Sequence, residues 1–177
     1  DYLVREMRRS GTPGMAVAIV RPGQAAYLRG FGHDGNGKPV TANTPFFAGS
    51  LSKSFTALAV MQLAEAGRID LDRPVGLYLP EFRIGDPRGV KITVRQLLSQ
   101  TSGMSDKAFF EWDAPGPASL EKAVARMRPA GLDADPGTRF LYHNPNYHVA
   151  ARLIEVVSGI RYRDYMKAHV FGPLQMH

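Results

Sequence analysis

The feature that most constrains this chain is the run Gly14-Met15-Ala16-Val17-Ala18-Ile19-Val20. It is almost unbroken in apolar residues, the pattern of a strand covered on both faces. Arg21-Pro22-Gly23-Gln24 comes next, with the composition of a turn. Ala25 to Phe31 then returns as a second strand, which makes an antiparallel hairpin. Two strands alone are marginal in water, and their edges present unpaired N–H and C=O groups. The hairpin therefore calls for more strands, yet the sequence after residue 50 offers no good candidates.

Outside the hairpin the chain reads as mostly helical. Tyr2 to Arg9 precedes it as a short helix ended by Ser10-Gly11. From Leu51 to Ala66 the chain carries Leu58, Val60, Met61 and Leu63, with Gly67 as a stop. A helix so apolar all round is normally central and buried. Thr93 suits the cap of a short helix bearing Val94, Leu97 and Leu98, ended by Thr101-Ser102-Gly103. Met104 to Ala118, rich in Pro, Gly and aromatics, reads as a surface loop lining a cleft. Ser119 suits the cap of a helix of about eight residues. Asn144-Pro145 opens a helix that ends at Ser158-Gly159, with proline where a helical N–H is not needed. A last helix covers Tyr162 to Val170. The expected fold class is α/β of the α+β kind: an antiparallel sheet with flanking helices, and a mostly helical subdomain. Residues 1–40 hold the first helix and the hairpin, and residues 41–177 hold the helical part.

Composition excludes several function classes. There is no cysteine, hence no disulfide, thiolate metal site or cysteine nucleophile. A net charge of +6 invites a nucleic-acid reading. Arg5, Arg8 and Arg9 sit together, as do Arg161 and Arg163, but Arg126, Arg128, Arg139 and Arg152 are scattered and no run of five like charges exists, so a solvated surface is the better reading. No stretch has the length and apolarity of a membrane span. The charged segment Asp1 to Ser10 lacks the core of a signal peptide.

Ser50-Leu51-Ser52-Lys53 places a lysine one helical turn beyond a serine, on the same face. A serine hydroxyl needs a base to become a nucleophile. At a helix N-terminus the Ser50 N–H is also available to a developing oxyanion. Among apolar neighbours, desolvation favours the neutral, proton-accepting form of a lysine. The plainer reading is Ser50 as a helix cap and Lys53 in a surface ion pair. Ser119-Leu120-Glu121-Lys122 repeats the spacing on a charged face and reads as a capped helix only. Tyr142-His143-Asn144 is the second constellation. A phenol beside an ammonium can relay a proton, and an asparagine amide can hold a substrate amide or orient the lysine. Its plainer reading is Tyr142 in the core and Asn144 as the cap before Pro145.

Four segments resemble, in order, the serine β-lactamase-related family. They are Phe47 to Phe55, Leu97 to Met104, Pro136 to Asn144, and Pro173-Leu174. That family includes class C β-lactamases, D-alanyl-D-alanine carboxypeptidases, family VIII esterases and D-aminopeptidases. The resemblance implies a serine β-lactamase/penicillin-binding-protein fold with Ser50 as the acylated nucleophile. It implies Lys53 and Tyr142 as the proton-transfer pair and Asn144 as a substrate-contact and support residue. It also implies a small-molecule or peptide substrate and a periplasmic or secreted setting, with no metal or organic cofactor. Gln100 stands where many relatives carry histidine, a departure that reads as minor. The family's third motif, a Lys- or His-containing triad ending in glycine on a late strand, has no match. The chain thus looks like a fragment whose sheet a C-terminal segment of the same gene product completes. Ser105-Asp106-Lys107 lacks the amide of the class A second motif, which favours the class C-like branch.

Other plans fail. Position 52 is serine, so no Gly-x-Ser-x-Gly elbow exists. No His-Glu-x-x-His occurs, and the glycines from Gly30 to Gly37 precede no Gly-Lys-Ser. The expected activity is hydrolysis of an ester or amide (β-lactam, D-amino peptide or simple ester) through an acyl-serine. The alternative is a binding or scaffold protein that keeps the fold without turnover.

Overall fold

The computed structural model of the chain describes residues 2–105 and 119–176. The loop expected from Met104 to Ala118 lies, beyond Ser105, outside the described residues, and so do Asp106 and Lys107. The chain divides into two compact units, Asp1–Ala48 and Gly49–His177.

The first unit carries helix α1 (Tyr2–Ser10) and strands β1 (Gly14–Arg21) and β2 (Gln24–Gly32). The strands pair antiparallel from Gly14↔Gly32 to Arg21↔Gln24, with a bulge between Ile19 and Val20. Gly23 turns the hairpin at φ +78°, a conformation open to glycine at no steric cost. A Cβ on Gly30 would lie 2.1 Å from the carbonyl oxygen of Val40, so the chain beyond β2 passes too close for any side chain there. The burial expected of β1 is not found. Ile19 and Val20 are exposed, as is Leu28 on β2. The physical reason is that among the described residues the sheet has two strands only.

The second unit begins with a 3₁₀ turn, Gly49–Leu51, that runs into α2 (Ser52–Glu65). Residues 52–65 contain neither glycine nor proline, and Ala, Leu, Met and Gln favour the helix. It ends in a Schellman arrangement: Gly67 N–H donates to Ala64 O, Arg68 N–H donates to Leu63 O, and Gly67 has φ +70°. Next come α3 (Val94–Leu98), α4 (Leu120–Ala125), α5 (Pro145–Ser158) and α6 (Tyr162–Met166), with 3₁₀ turns at Val75–Leu77 and Pro87–Lys91. Thr93 and Gln96 form a reciprocal capping box at α3. Ser119 caps α4 by accepting from Lys122 N–H. That helix has six residues, shorter than expected. After α6 the chain tightens into a π turn, Lys167–Phe171, where a continuous α-helix was expected.

The core of this unit gathers on α5. Val149, Leu153 and Ile154 are fully buried and pack with Val60 and Leu63 of α2 and Leu97 of α3. Burying each such side chain stabilises the fold by about 1.5–3 kcal/mol. Helix α2 is not buried all round, because Leu58 and Met61 face outward. Its buried face is Thr56, Ala59, Val60 and Leu63. Packing thus holds α2 against α5 and presents the start of each helix at one site.

Candidate active site

Ser50 lies in the 3₁₀ turn ahead of α2, exposed, with Lys53 half-buried one turn on. Tyr142 and Asn144 come from the segment that enters α5. The structure brings all four together. Lys53 Nζ donates to Ser50 Oγ at 3.1 Å and to Asn144 Oδ1 at 2.7 Å. The Tyr142 hydroxyl donates to Ser50 Oγ at 2.6 Å. Lys53 Nζ also lies 4.8 Å from the Tyr142 ring centroid and 5.8 Å from that of Tyr147, within the range of a cation–π attraction.

Two plain readings of these residues do not hold. Tyr142 is half exposed, so it is no core residue. Asn144 has helical backbone angles and makes no side-chain cap bond, because its oxygen is turned to Lys53. The apolar surroundings expected of Lys53 as a base are not found either: its partners are a hydroxyl, an amide oxygen and two aromatic faces.

This geometry sets the electrostatics of the site. The Lys53 ammonium, and then the hydrogen bond to Ser50, hold the Tyr142 phenol below the ordinary tyrosine range. Burial, and next the neighbouring Tyr142, push the Tyr147 phenol up. His148 is pushed down by burial and then by Lys53. Of the two phenols, the one nearest Ser50 is therefore the easier to ionise. Among the described residues no cluster of His, Asp or Glu side chains is placed to hold a metal ion.

Sequence reasoning missed a buried polar network beside the segment that carries Tyr142. Gln100 is buried, and its Oε1 accepts from His143 N–H at 3.0 Å and from Asn146 Nδ2 at 2.6 Å. Ser102 Oγ donates to Asn146 Oδ1 at 2.6 Å. Gln100, the position where the sequence departs from many relatives, is thus a buried member of that network. The available signal was three polar residues (Gln100, Ser102, Asn146) beside apolar helix ends, which must satisfy one another once buried.

A serine held by a lysine and a phenol at the ends of packed helices, in a chain whose first unit carries an antiparallel hairpin, defines the serine β-lactamase/penicillin-binding-protein class of fold. The chain belongs to the beta-lactamase family, whose model matches residues 1–177. It is 34% identical over 167 residues to penicillin-binding protein 4 of Amycolatopsis lactamdurans, covering 93% of this chain and 44% of that protein. EstCE1, a hydrolase with promiscuous acyltransferase activity, superposes with a TM-score of 0.84 at 27% identity, over 97% of this chain and 49% of that one. The D-amino acid amidase of Ochrobactrum anthropi SV3 superposes with a TM-score of 0.82 at 25% identity, over 97% and 48%. The chain spans less than half the length of these relatives.

Proposed function

We propose that this chain carries the acylation centre of a serine hydrolase that opens an ester or amide through an acyl-Ser50 intermediate. The observation that carries the reading is the convergence of Lys53 Nζ and the Tyr142 hydroxyl on Ser50 Oγ. In the resting site Ser50 Oγ accepts from both. Ionisation of the lowered Tyr142 phenol reverses one bond, and Ser50 then donates to the phenolate. As Ser50 Oγ attacks the carbonyl carbon, its proton passes to the Tyr142 oxygen, and Lys53 holds that oxygen's charge down. The same proton goes to the departing oxygen or nitrogen as the tetrahedral adduct collapses. Water then attacks the acyl carbonyl and gives a proton to the Tyr142 oxygen, which passes it to Ser50 Oγ as the acyl–oxygen bond breaks and the acid leaves. Asn144 keeps Lys53 on the serine, and the backbone N–H of Ser50 is suited to one half of an oxyanion hole.

The names of the relatives support the breadth of the substrate class. One is a penicillin-binding protein, one a hydrolase with acyltransferase activity and one an amidase of D-amino acids. β-Lactams, D-amino peptides and simple esters share a carbonyl open to a serine, and the proposal covers that shared chemistry. Further strands from C-terminal residues of the same gene product complete the hairpin in this reading.

The test is covalent labelling of the full-length protein with a fluorophosphonate or a penicillin. Labelling that is lost in Ser50→Ala is the expected result. Wild-type protein that stays unlabelled by both probes points to a scaffold that has kept the fold without turnover.

A further inference from the structure

Gln100 combines an unusual backbone with an unusual set of partners. Its φ is +60°, in the left-handed region that residues other than glycine rarely adopt. It is only 5% exposed. Leu141 N–H donates to the Gln100 main-chain carbonyl at 2.8 Å, and His143 N–H donates to Gln100 Oε1 at 3.0 Å. Leu141 and His143 are the two chain neighbours of Tyr142. One residue thus grips the backbone on both sides of the phenol, through two different oxygens. Its Oε1 also accepts from Asn146 Nδ2, within the first turn of the helix that Asn144 precedes. Gln100 Nε2, by contrast, has no partner among the described residues. A buried amide that leaves its nitrogen unsatisfied is held there for its oxygen.

We propose that Gln100 is a positioning residue for Tyr142, its two oxygens locking the Leu141–His143 backbone so that the phenol stays on Ser50 Oγ. The kinetic side of this inference rests on the acyl-serine reading, and the spectroscopic side does not. The groups that face Tyr142 are Ser50 from the 3₁₀ turn, Lys53 from α2 and Tyr147 from α5, with His148 next to Lys53. A phenol that drifts from Ser50 and Lys53 loses the two interactions that lower it and titrates higher.

The experiment uses the full-length protein with Gln100→Asn, Gln100→Gly and Ser102→Ala, each with and without Tyr142→Phe. Asparagine and glycine both accept a left-handed backbone and keep the main-chain carbonyl, so folding has two chances to survive. Neither can reach His143 N–H and Asn146 together. Ser102→Ala breaks the far end of the same network and leaves Gln100 Oε1 alone. Two quantities are read: the rate of fluorophosphonate labelling, and the titration of Tyr142 as the ultraviolet difference between each protein and its Tyr142→Phe counterpart. The Gln100 variants are expected to label about 10²-fold more slowly and to titrate Tyr142 at higher pH. Ser102→Ala should keep the wild-type titration. Gln100 variants that titrate like wild type overturn the inference, and so does a Ser102→Ala shift of equal size. Wild-type protein that does not label sinks the acyl-serine reading alone, because the titration still decides the position of Tyr142.

Discussion

At Lys53 two oxygens compete for one ammonium. Asn144 Oδ1 is the nearer, at 2.7 Å against 3.1 Å for Ser50 Oγ. The amide fixes where the nitrogen sits and leaves its remaining hydrogens free to turn toward the serine and the phenol. In the proposed reading Lys53 acts in two ways: it holds Ser50 Oγ toward the phenol that takes its proton, and its charge favours the phenolate of Tyr142. Removing it takes away both. In the full-length protein Lys53→Ala should slow acylation by about 10²–10⁴-fold, the usual weight of a positioned proton-transfer group. The sign of the pH effect comes from the lowered phenol. Without the ammonium the Tyr142 pKa rises, so the rate should climb into its plateau at higher pH than in wild type. Labelling rates across pH read both effects, and a variant that acylates at the normal rate would remove Lys53 from the mechanism.

At the scale of elements, the segment that delivers Tyr142 is braced from the turn at Pro87–Lys91. Asp86 caps that turn by accepting from Arg88 N–H, and its carboxylate also pairs with the Arg88 guanidinium. Arg88 reaches on to Asp135 Oδ1 at 2.6 Å and to the carbonyl of Leu132 at 3.1 Å. The Arg88 side chain, and next its backbone N–H, pull the Asp86 carboxyl down to about 2. A carboxyl lowered on folding stabilises the native state above the unfolded value of about 3.9, and that contribution is lost as pH falls through the folded one. Asp86→Asn should therefore melt below wild type at neutral pH, with the gap closing between about pH 4 and pH 2. A gap that persists unchanged at the acid end would assign the brace to shape alone.

Helix ends were the legible part of the fold. Thr93, Ser119, Gly67 and Gly159 announce their boundaries because each satisfies orphan backbone groups by purely local chemistry. Ser50 and Lys53 were legible for the same reason, being one turn apart. Asn144 was half legible: its place before Pro145 suggested a cap, and a lysine 91 positions away in sequence claimed its oxygen instead. The Gln100–Asn146–Ser102 network was not legible, since its partners are 46 and 44 residues apart and meet only once α3 and α5 pack. The π turn after Met166 carries no composition signal that would separate it from more α-helix.

For the whole molecule, the hairpin is an element with apolar surface left to bury. Ile19, Val20 and Leu28 are exposed on it, and the outer edges of a two-stranded sheet present main-chain groups that its own strands do not pair. Residues 1–177 expressed alone are expected to self-associate and to acylate poorly. Half of an oxyanion hole is worth about 10²–10³ in rate, and in the proposed reading that half comes with the completing strands. Sedimentation and labelling of the isolated piece decide the matter: a monodisperse monomer with full activity would sink it.

The contacts that assemble the site are long in sequence. Ser50 meets Tyr142 across 92 residues, Lys53 meets Asn144 across 91, and Thr56 meets Tyr162 across 106. Closing loops of that length costs chain entropy before any contact repays it, whereas a helix winds through local contacts alone. Helix α2 and the 3₁₀ turn ahead of it can therefore form early with Ser50 and Lys53 already in register, while the phenol and the amide arrive only with the final docking of α5. In the proposed reading, chemistry at Ser50 becomes a late event of folding, and a newly made chain would stay unreactive until its native topology is complete.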